Sequence, residues 1–426
     1  MLDRHYRLNK NAMSGVISVS MEDVAFLAMA PAGIAIISSA FGFWPFEDSK
    51  IWQMLNIANF CCGIGLALAA FFLISKKGRS SALSFMPETS ILAYLAINVL
   101  SISIADSLSR PLNYTLKIVL VFSGGLFLFQ SALSKPRTLN FFYSLIAIAV
   151  TLSIIACIYT RLICDPQQFG FHDNVFKYGT YIGILVPLAA IYLLSGLTVQ
   201  VLWAILITTA GVFSAGSAGA ILSIFAGLVT ALIMIPKTSV RLNILVCLIV
   251  STAALFLSNK VFDGAAGSDF ALRESDGINL RQRYIEWQAE INLLEKRGIT
   301  GTGAGSINDY RSNFYYRLAK LNTLKAFDQN GFLAVGAETG LLGLVAFIWI
   351  LVHYGRMGLR DYLHLRAGEN PRACAMAAAN TAAFVSALTA NLFSSVHYNG
   401  VLIVFVLLLS LISSVNRIYG ENTGED

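Results

Sequence analysis

Residues 331–353 read GFLAVGAETGLLGLVAFIWILVH. Only Glu338 and the terminal His353 are ionisable in this run. A helix of that length rises about 35 Å, enough to cross the roughly 30 Å of hydrocarbon in a bilayer. Comparable apolar runs lie at about 24–44, 51–75, 89–105, 114–133, 141–160, 178–195, 199–213, 217–235, 242–258, 374–393 and 399–415. The pattern predicts an all-α polytopic membrane protein, a single membrane domain over 1–426 with about twelve transmembrane helices. Composition agrees. Apolar residues make up 56% of the chain and charged residues 13%, and mean hydropathy is +0.67. A soluble domain carries about 25% charged residues. So little polar surface cannot cover a water-facing exterior. That excludes a cytosolic enzyme, a secreted scaffold and a disordered chain.

Orientation follows from the basic residues of the loops. One side holds fifteen, running from Arg4, Arg7 and Lys10 through Lys76, Lys77 and Arg79 to Arg417. The other side's short loops and helix ends hold five: Lys50, Arg110, Lys117, Arg161 and Lys177. The richer side is expected to be cytoplasmic, with both termini there. Met1 to Glu22 is polar and has no apolar core near its start, so no cleaved signal peptide is expected. The net charge of +6 gives no support to nucleic-acid binding. Five of the six cysteines fall in apolar runs, where a thiol behaves as a small hydrophobe, and Cys164 lies in a polar loop. No spacing suggests a metal site.

One loop stands apart. Residues 259–330, between the ninth and tenth runs, hold ten basic and nine acidic side chains. A loop of that length in a compact protein is functional or disordered, and this one is not of low complexity. Arg281 to Arg297 reads as an amphipathic helix with Tyr284, Trp287, Ile291 and Leu294 on its apolar face. A second helix is expected over about 307–325. Together they predict a helical subdomain capping the outer face.

Several groups there suit work on an anion. Arg281 and Arg283 open the amphipathic helix, and two guanidiniums can grip a phosphate bidentately. The alternative is a solvated face with Arg283 and Glu286 paired. Gly301-Thr302-Gly303-Ala304-Gly305 resembles a phosphate-cradling turn, or simply ends the helix. Asp328-Gln329-Asn330-Gly331 lies where the loop re-enters the membrane. Glu338 would sit two turns deeper, and an ionisable residue at that depth is a functional hypothesis, the alternative being a carboxylate facing water at the helix mouth. Gly340 and Gly343 suggest close helix packing. His172 and His397, both in outer loops, are candidate proton carriers, or hydrogen-bonded loop residues.

The order of these features resembles the O-antigen ligase and polymerase superfamily of bacterial membrane glycosyltransferases. The family's Arg-x-x-x-Trp is matched by Arg283 and Trp287, and its Gly-x-Gly-x-Gly by Gly301, Gly303 and Gly305. Its His-Asn followed by Glu-x-Gly-x-x-Gly-Leu is matched by Asn330, Phe332, Leu333, Glu338, Gly340, Gly343 and Leu344. Phe171-His172-Asp173-Asn174 is similar to an element before the sixth helix. Gln329 stands where ligases carry His, and Ala218 where an Arg is common after the family's Ser. Both departures fit polymerases better.

The resemblance implies a donor glycan on a polyprenyl diphosphate such as undecaprenyl diphosphate, delivered to the periplasmic face for exopolysaccharide or O-antigen synthesis. It implies no metal or other cofactor, because the lipid diphosphate already activates the sugar. Flippase and polysaccharide-export proteins are the expected partners, besides the bilayer itself. Arg283, Asp328, Gln329 and Glu338 are the expected catalytic residues. Arg281, Arg311, Asn330, His172 and His397 are expected to bind substrate. Two alternatives remain: transfer of the glycan to a lipid-A core, and transport of a lipid-linked sugar or small anion.

Overall fold

The computed structural model describes residues 21–40, 57–74, 87–106, 108–160, 175–196, 198–215, 217–262, 276–307, 330–368, 370–396 and 401–419. Side chains at 21–24, 39–40, 58, 175–176, 257–262 and 276–283 lie outside that description. Every described regular element is helical. In chain order they are α1 (Met21–Ala40), α2 (Ile57–Ile74), α3 (Thr89–Ser101), α4 (Ser109–Ala132), α5 (Pro136–Tyr159), α6 (Val175–Leu194), α7 (Thr198–Ser214), α8 (Ala218–Met234), α9 (Thr238–Phe262), α10 (Asp276–Arg297), α11 (Gly331–Ala367), α12 (Pro371–Phe393) and α13 (Val401–Tyr419). Among the described residues, seven helices are long and apolar enough to cross a membrane. Five shorter apolar helices accompany them, and each of these twelve falls on one of the twelve apolar runs. The chain is an all-α polytopic membrane protein. Cys61, Cys62, Cys157, Cys247 and Cys374 are buried free thiols, as their apolar settings predict.

The bundle has a clear centre. Of the apolar stretch of α6, 94% is buried, against 22% for α9. A helix that is apolar all round belongs inside, and one lying against lipid at the edge needs few protein contacts. Around α6 stand α5, α7, α8 and α12. Small residues set their spacing. A Cβ on Gly219 of α8 would lie 2.5 Å from the Phe393 Cβ of α12, so the absence of one lets the two helices close. The Ser386 hydroxyl of α12 donates to the Ser223 carbonyl of α8 at 2.8 Å, and the Tyr143 hydroxyl of α5 donates to Asn380 of α12 at 2.6 Å.

The tenth apolar run is not the straight span that its hydropathy predicts. Gly340 has φ 72° and ψ −173°, which breaks α11 in two. The ring centroids of Phe332 and Phe347 lie 6.0 Å apart. Fifteen residues of straight helix would separate them by about 22 Å. The position of a Cβ on Gly336 likewise falls 3.5 Å from the Leu344 side chain, eight residues on. Residues 331–339 therefore fold back alongside the start of 341–367, as a helical hairpin whose tip is Gly340. The expected order of depth is reversed. Glu338 lies near the tip, and Asn330 lies further along the span, at the level of Phe347.

Candidate functional site

Breaking a helix inside a membrane domain strands backbone polar groups, and they must find partners within the protein. Here the glycine-rich turn after α10 supplies them. The amides of Thr302 and Gly303 donate to the carbonyls of Ala337 and Glu338 at 3.0 and 2.8 Å. In return, the Leu341 amide donates to the Gly298 carbonyl at 2.9 Å. The two chains interlock at glycines with positive φ. A Cβ on Gly301 would lie 2.3 Å from the Glu338 carbonyl oxygen, and one on Gly340 2.1 Å from that of Ile299. Of the two readings of this turn, the structure supports the helix-ending one. The amides of Thr302 and Gly303 face protein carbonyls rather than a free anion cradle.

The turn is fastened from its other side as well. The Ala304 amide donates to the Ser101 hydroxyl at the end of α3, at 3.1 Å. Ser101 donates to the Asn98 carbonyl at 2.7 Å, and Thr115 of α4 donates to the same carbonyl at 3.3 Å. Ser306 closes the turn by donating to the Gly303 carbonyl at 2.6 Å. Arg297, at the end of α10, pairs with Asp106 at 3.7 Å. A buried polar seam thus runs from α3 and α4 through the turn to the hairpin.

Glu338 sits in this seam and is only 6% exposed. It does not face water at a helix mouth. Its carboxylate is within electrostatic reach of Tyr94 of α3, and the Tyr94 ring packs on Phe347 with centroids 5.8 Å apart.

The capping helix α10 forms where expected and starts five residues earlier, at Asp276. Its packed face differs from the one its apolar stripe predicts. Tyr284 and Ile291 are exposed, and Trp287 and Leu294 half-buried. The buried face is Ile285, Glu286, Ala289, Glu290 and Leu293. Leu293 joins Ile307 and Ala337 in a small apolar cluster. Leu294 lies against Gly336 of the hairpin as well, and this contact decides which face turns inward. Glu286 is fully buried, so it is not part of a solvated face. Sequence reasoning missed these two carboxylates. The signal was the i, i+4, i+8 row of Ile285, Ala289 and Leu293, which shares its side of the helix with Glu286 and Glu290.

Asn330 begins the hairpin as its N-cap, its side chain accepting from the Phe332 and Leu333 amides at 3.0 and 3.1 Å. Arg281 and Arg283 lie on α10, with side chains outside the described residues. His172, Arg311, Asp328, Gln329 and His397 lie outside the described residues altogether, as does the expected second loop helix. Of the expected site, the structure thus places Asn330 and Glu338 at opposite ends of the short arm of the hairpin.

The stretch of chain from α7 to the hairpin has a counterpart among known families. Residues 203–348 match the O-antigen ligase family. The match bears out the resemblance to the O-antigen ligase and polymerase superfamily, and it supports a ligase- or polymerase-like function in general. It takes in the capping helix, the glycine-rich turn and the tip of the hairpin. No curated protein matches the chain.

Proposed function

We propose that this protein is a polysaccharide polymerase-like glycosyltransferase of the bacterial inner membrane, with both termini in the cytoplasm. The donor is a glycan on a polyprenyl diphosphate, and the acceptor is a sugar hydroxyl on a second lipid-linked unit at the periplasmic face. The acceptor oxygen bonds to the anomeric carbon while the bond from that carbon to the diphosphate oxygen breaks. The proton passes to a base, and the diphosphate leaves on its lipid. Arg281, Arg283 and Arg311 hold the charge that builds on the leaving group, a contribution that can dominate catalysis. Asp328 takes the proton, and the Gln329 amide donates a hydrogen bond to a sugar or phosphate oxygen. Glu338, His172 and His397 complete the polar surroundings. The observation that carries this reading is the family match over the region where the outer loop seats on the folded-back helix.

Deletion of the gene followed by glycan profiling tests it. Loss of long polymer with single repeats retained supports the polymerase. Polymer accumulating on the lipid carrier supports a ligase, the reading that the name of the matched family favours. Unchanged glycan defeats both and leaves a transporter, whose sites also use broken helices. Arg283→Ala is expected to abolish product at unchanged membrane abundance, with Lys a poor substitute because it lacks the planar fork. Asp328→Asn is expected to be more damaging than Gln329→Ala. Full activity in the first with none in the second reverses the two roles.

A further inference from the structure

A recess of about 170 Å³ opens at the end of α11 away from the seam. Arg360, Asp361, His364 and Leu365 of α11 line it together with Asn416 of α13. Twenty-one residues of helix separate Asp361 from the hairpin tip at Gly340, a rise of about 32 Å and the full thickness of a hydrocarbon core. On the same stretch Leu359 and Leu363 are 47% and 55% exposed, and exposed leucines on a membrane helix belong against lipid. Arg356, Arg360, Arg366 and Arg372 all lie around this end. The recess thus sits at headgroup level on the side rich in basic residues.

Its chemistry has two signs. Asp361 is 5% exposed. Asn416, with its amide turned to suit its neighbours, donates to Asp361 Oδ1 at 3.2 Å and accepts from Arg360 at 3.1 Å. Arg360 Nε lies 4.0 Å from the same carboxylate oxygen. The second oxygen, Oδ2, is buried without a hydrogen-bond partner. An ionised carboxylate has about four acceptor sites, and a buried charge needs its hydrogen bonds. Asp361 is therefore short of donors. Arg360 and His364 are exposed beside it, and both offer N–H groups to an acceptor. A simple anion in the recess would meet the carboxylate, and a simple cation would meet the guanidinium. A group that carries both signs satisfies each wall.

We infer that this recess binds a phosphoethanolamine group, whose primary ammonium donates to Asp361 and whose phosphate faces Arg360 and His364. The size fits. At about 30 Å³ for each water-sized group, the recess takes the aminoethyl arm and leaves the phosphate at its mouth. A quaternary ammonium has no N–H to give, so a choline headgroup would leave Asp361 short of donors. The location favours a phospholipid headgroup as the source. Glycosyl transfer is proposed at the other face of the membrane, and this inference does not rest on it.

Native mass spectrometry of the full-length protein, titrated with phospholipids of matched chains, tests the site. Wild type is expected to bind one phosphatidylethanolamine about tenfold more tightly than phosphatidylcholine, the worth of one charge-assisted hydrogen bond. Asp361→Asn is expected to abolish that preference and leave phosphatidylcholine binding unchanged. Arg360→Gln alters an exposed side chain and is expected to weaken phosphatidylethanolamine binding several-fold, so it carries the test should Asp361→Asn fail to fold. Displacement of the bound lipid by soluble phosphoethanolamine keeps the site and shows that the headgroup alone is recognised. Displacement only by the intact lipid keeps it and makes the membrane its source. Equal binding of the two lipids by wild type overturns the inference, as does a preference that survives in the folded variants. Tighter binding of phosphatidylglycerol, which has no ammonium, also overturns it and leaves only a basic surface.

Discussion

Two regions of this protein use glycine for close approach, and they do so in different ways. In the centre of the bundle, Gly219 and Gly227 of α8 face side chains of its neighbours, Phe393 in one case and Ser386 and Pro187 in the other. There the missing Cβ merely sets the spacing between helices. At the seam, Gly301 and Gly340 face backbone oxygens and nitrogens. There the backbone of one element completes the hydrogen bonding of another. The Phe393 Cβ and the Pro187 ring cannot rotate away, so a Cβ at either central glycine moves a whole helix, whereas at the seam it would break the backbone hydrogen bonds that join two elements. The centre is therefore close helix packing and the seam a single interlocked joint.

The largest expected effect tests that joint. Gly340→Ala places a Cβ at 2.1 Å from the Ile299 carbonyl oxygen, in a left-handed conformation that already costs an L-residue about 1–2 kcal/mol. With the clash added, the loss should exceed about 3 kcal/mol. The yield of monodisperse protein on size-exclusion chromatography is expected to collapse. A normal yield would mean that the hairpin does not depend on the break.

Gly219→Ala should be milder. Overpacking of this kind costs about 1–3 kcal/mol. The protein is expected to fold, with a lowered melting temperature. A loss as large as that of Gly340→Ala would erase the distinction between the two regions.

Ser101→Ala sharpens the comparison within the seam. It removes the acceptor of the buried Ala304 amide and should cost about 1–2 kcal/mol. Hydrogen exchange should quicken at Ala304 and its neighbours and remain unchanged in α8. Equal quickening in both would show that the seam is not a separate unit.

The smallest effect lies at the opposite end of the bundle, where Glu88 just before α3 pairs with His353 of α11. Burial raises the Glu88 pKa, and the charge of His353 opposes the rise without cancelling it. A raised carboxyl pKa stabilises the fold below the unfolded value, and that stability is lost as pH climbs through the folded value. Glu88→Gln should accordingly raise the melting temperature at pH 8 and leave it unchanged at pH 4. A lowered melting temperature at pH 8 would mean that the ion pair outweighs the burial.

Twelve apolar helices and one amphipathic helix in the long loop were legible in the sequence because both signals are local. Twenty apolar residues have one favourable place in a bilayer, whatever their neighbours do. The motif order around Trp287, Gly301 and Glu338 was legible for the same reason, since spacing along a chain needs no third dimension. The run at 331–353 shows where local signals stop. Hydropathy cannot tell a straight helix from one folded back on itself, because both arms are equally apolar. Gly340 permits the fold, but only the turn after α10, with Thr302 and Gly303 offering amides to the stranded carbonyls, makes it stable. The face of α10 was decided likewise. Its apolar stripe pointed to Tyr284 and Ile291, but contact with the hairpin turned Glu286 and Glu290 inward. Glu338 was legible as an ionisable residue in an apolar run, but only tertiary packing buries it in the seam beside Tyr94 of α3, and a buried polar group acquires its meaning from what lies within its reach.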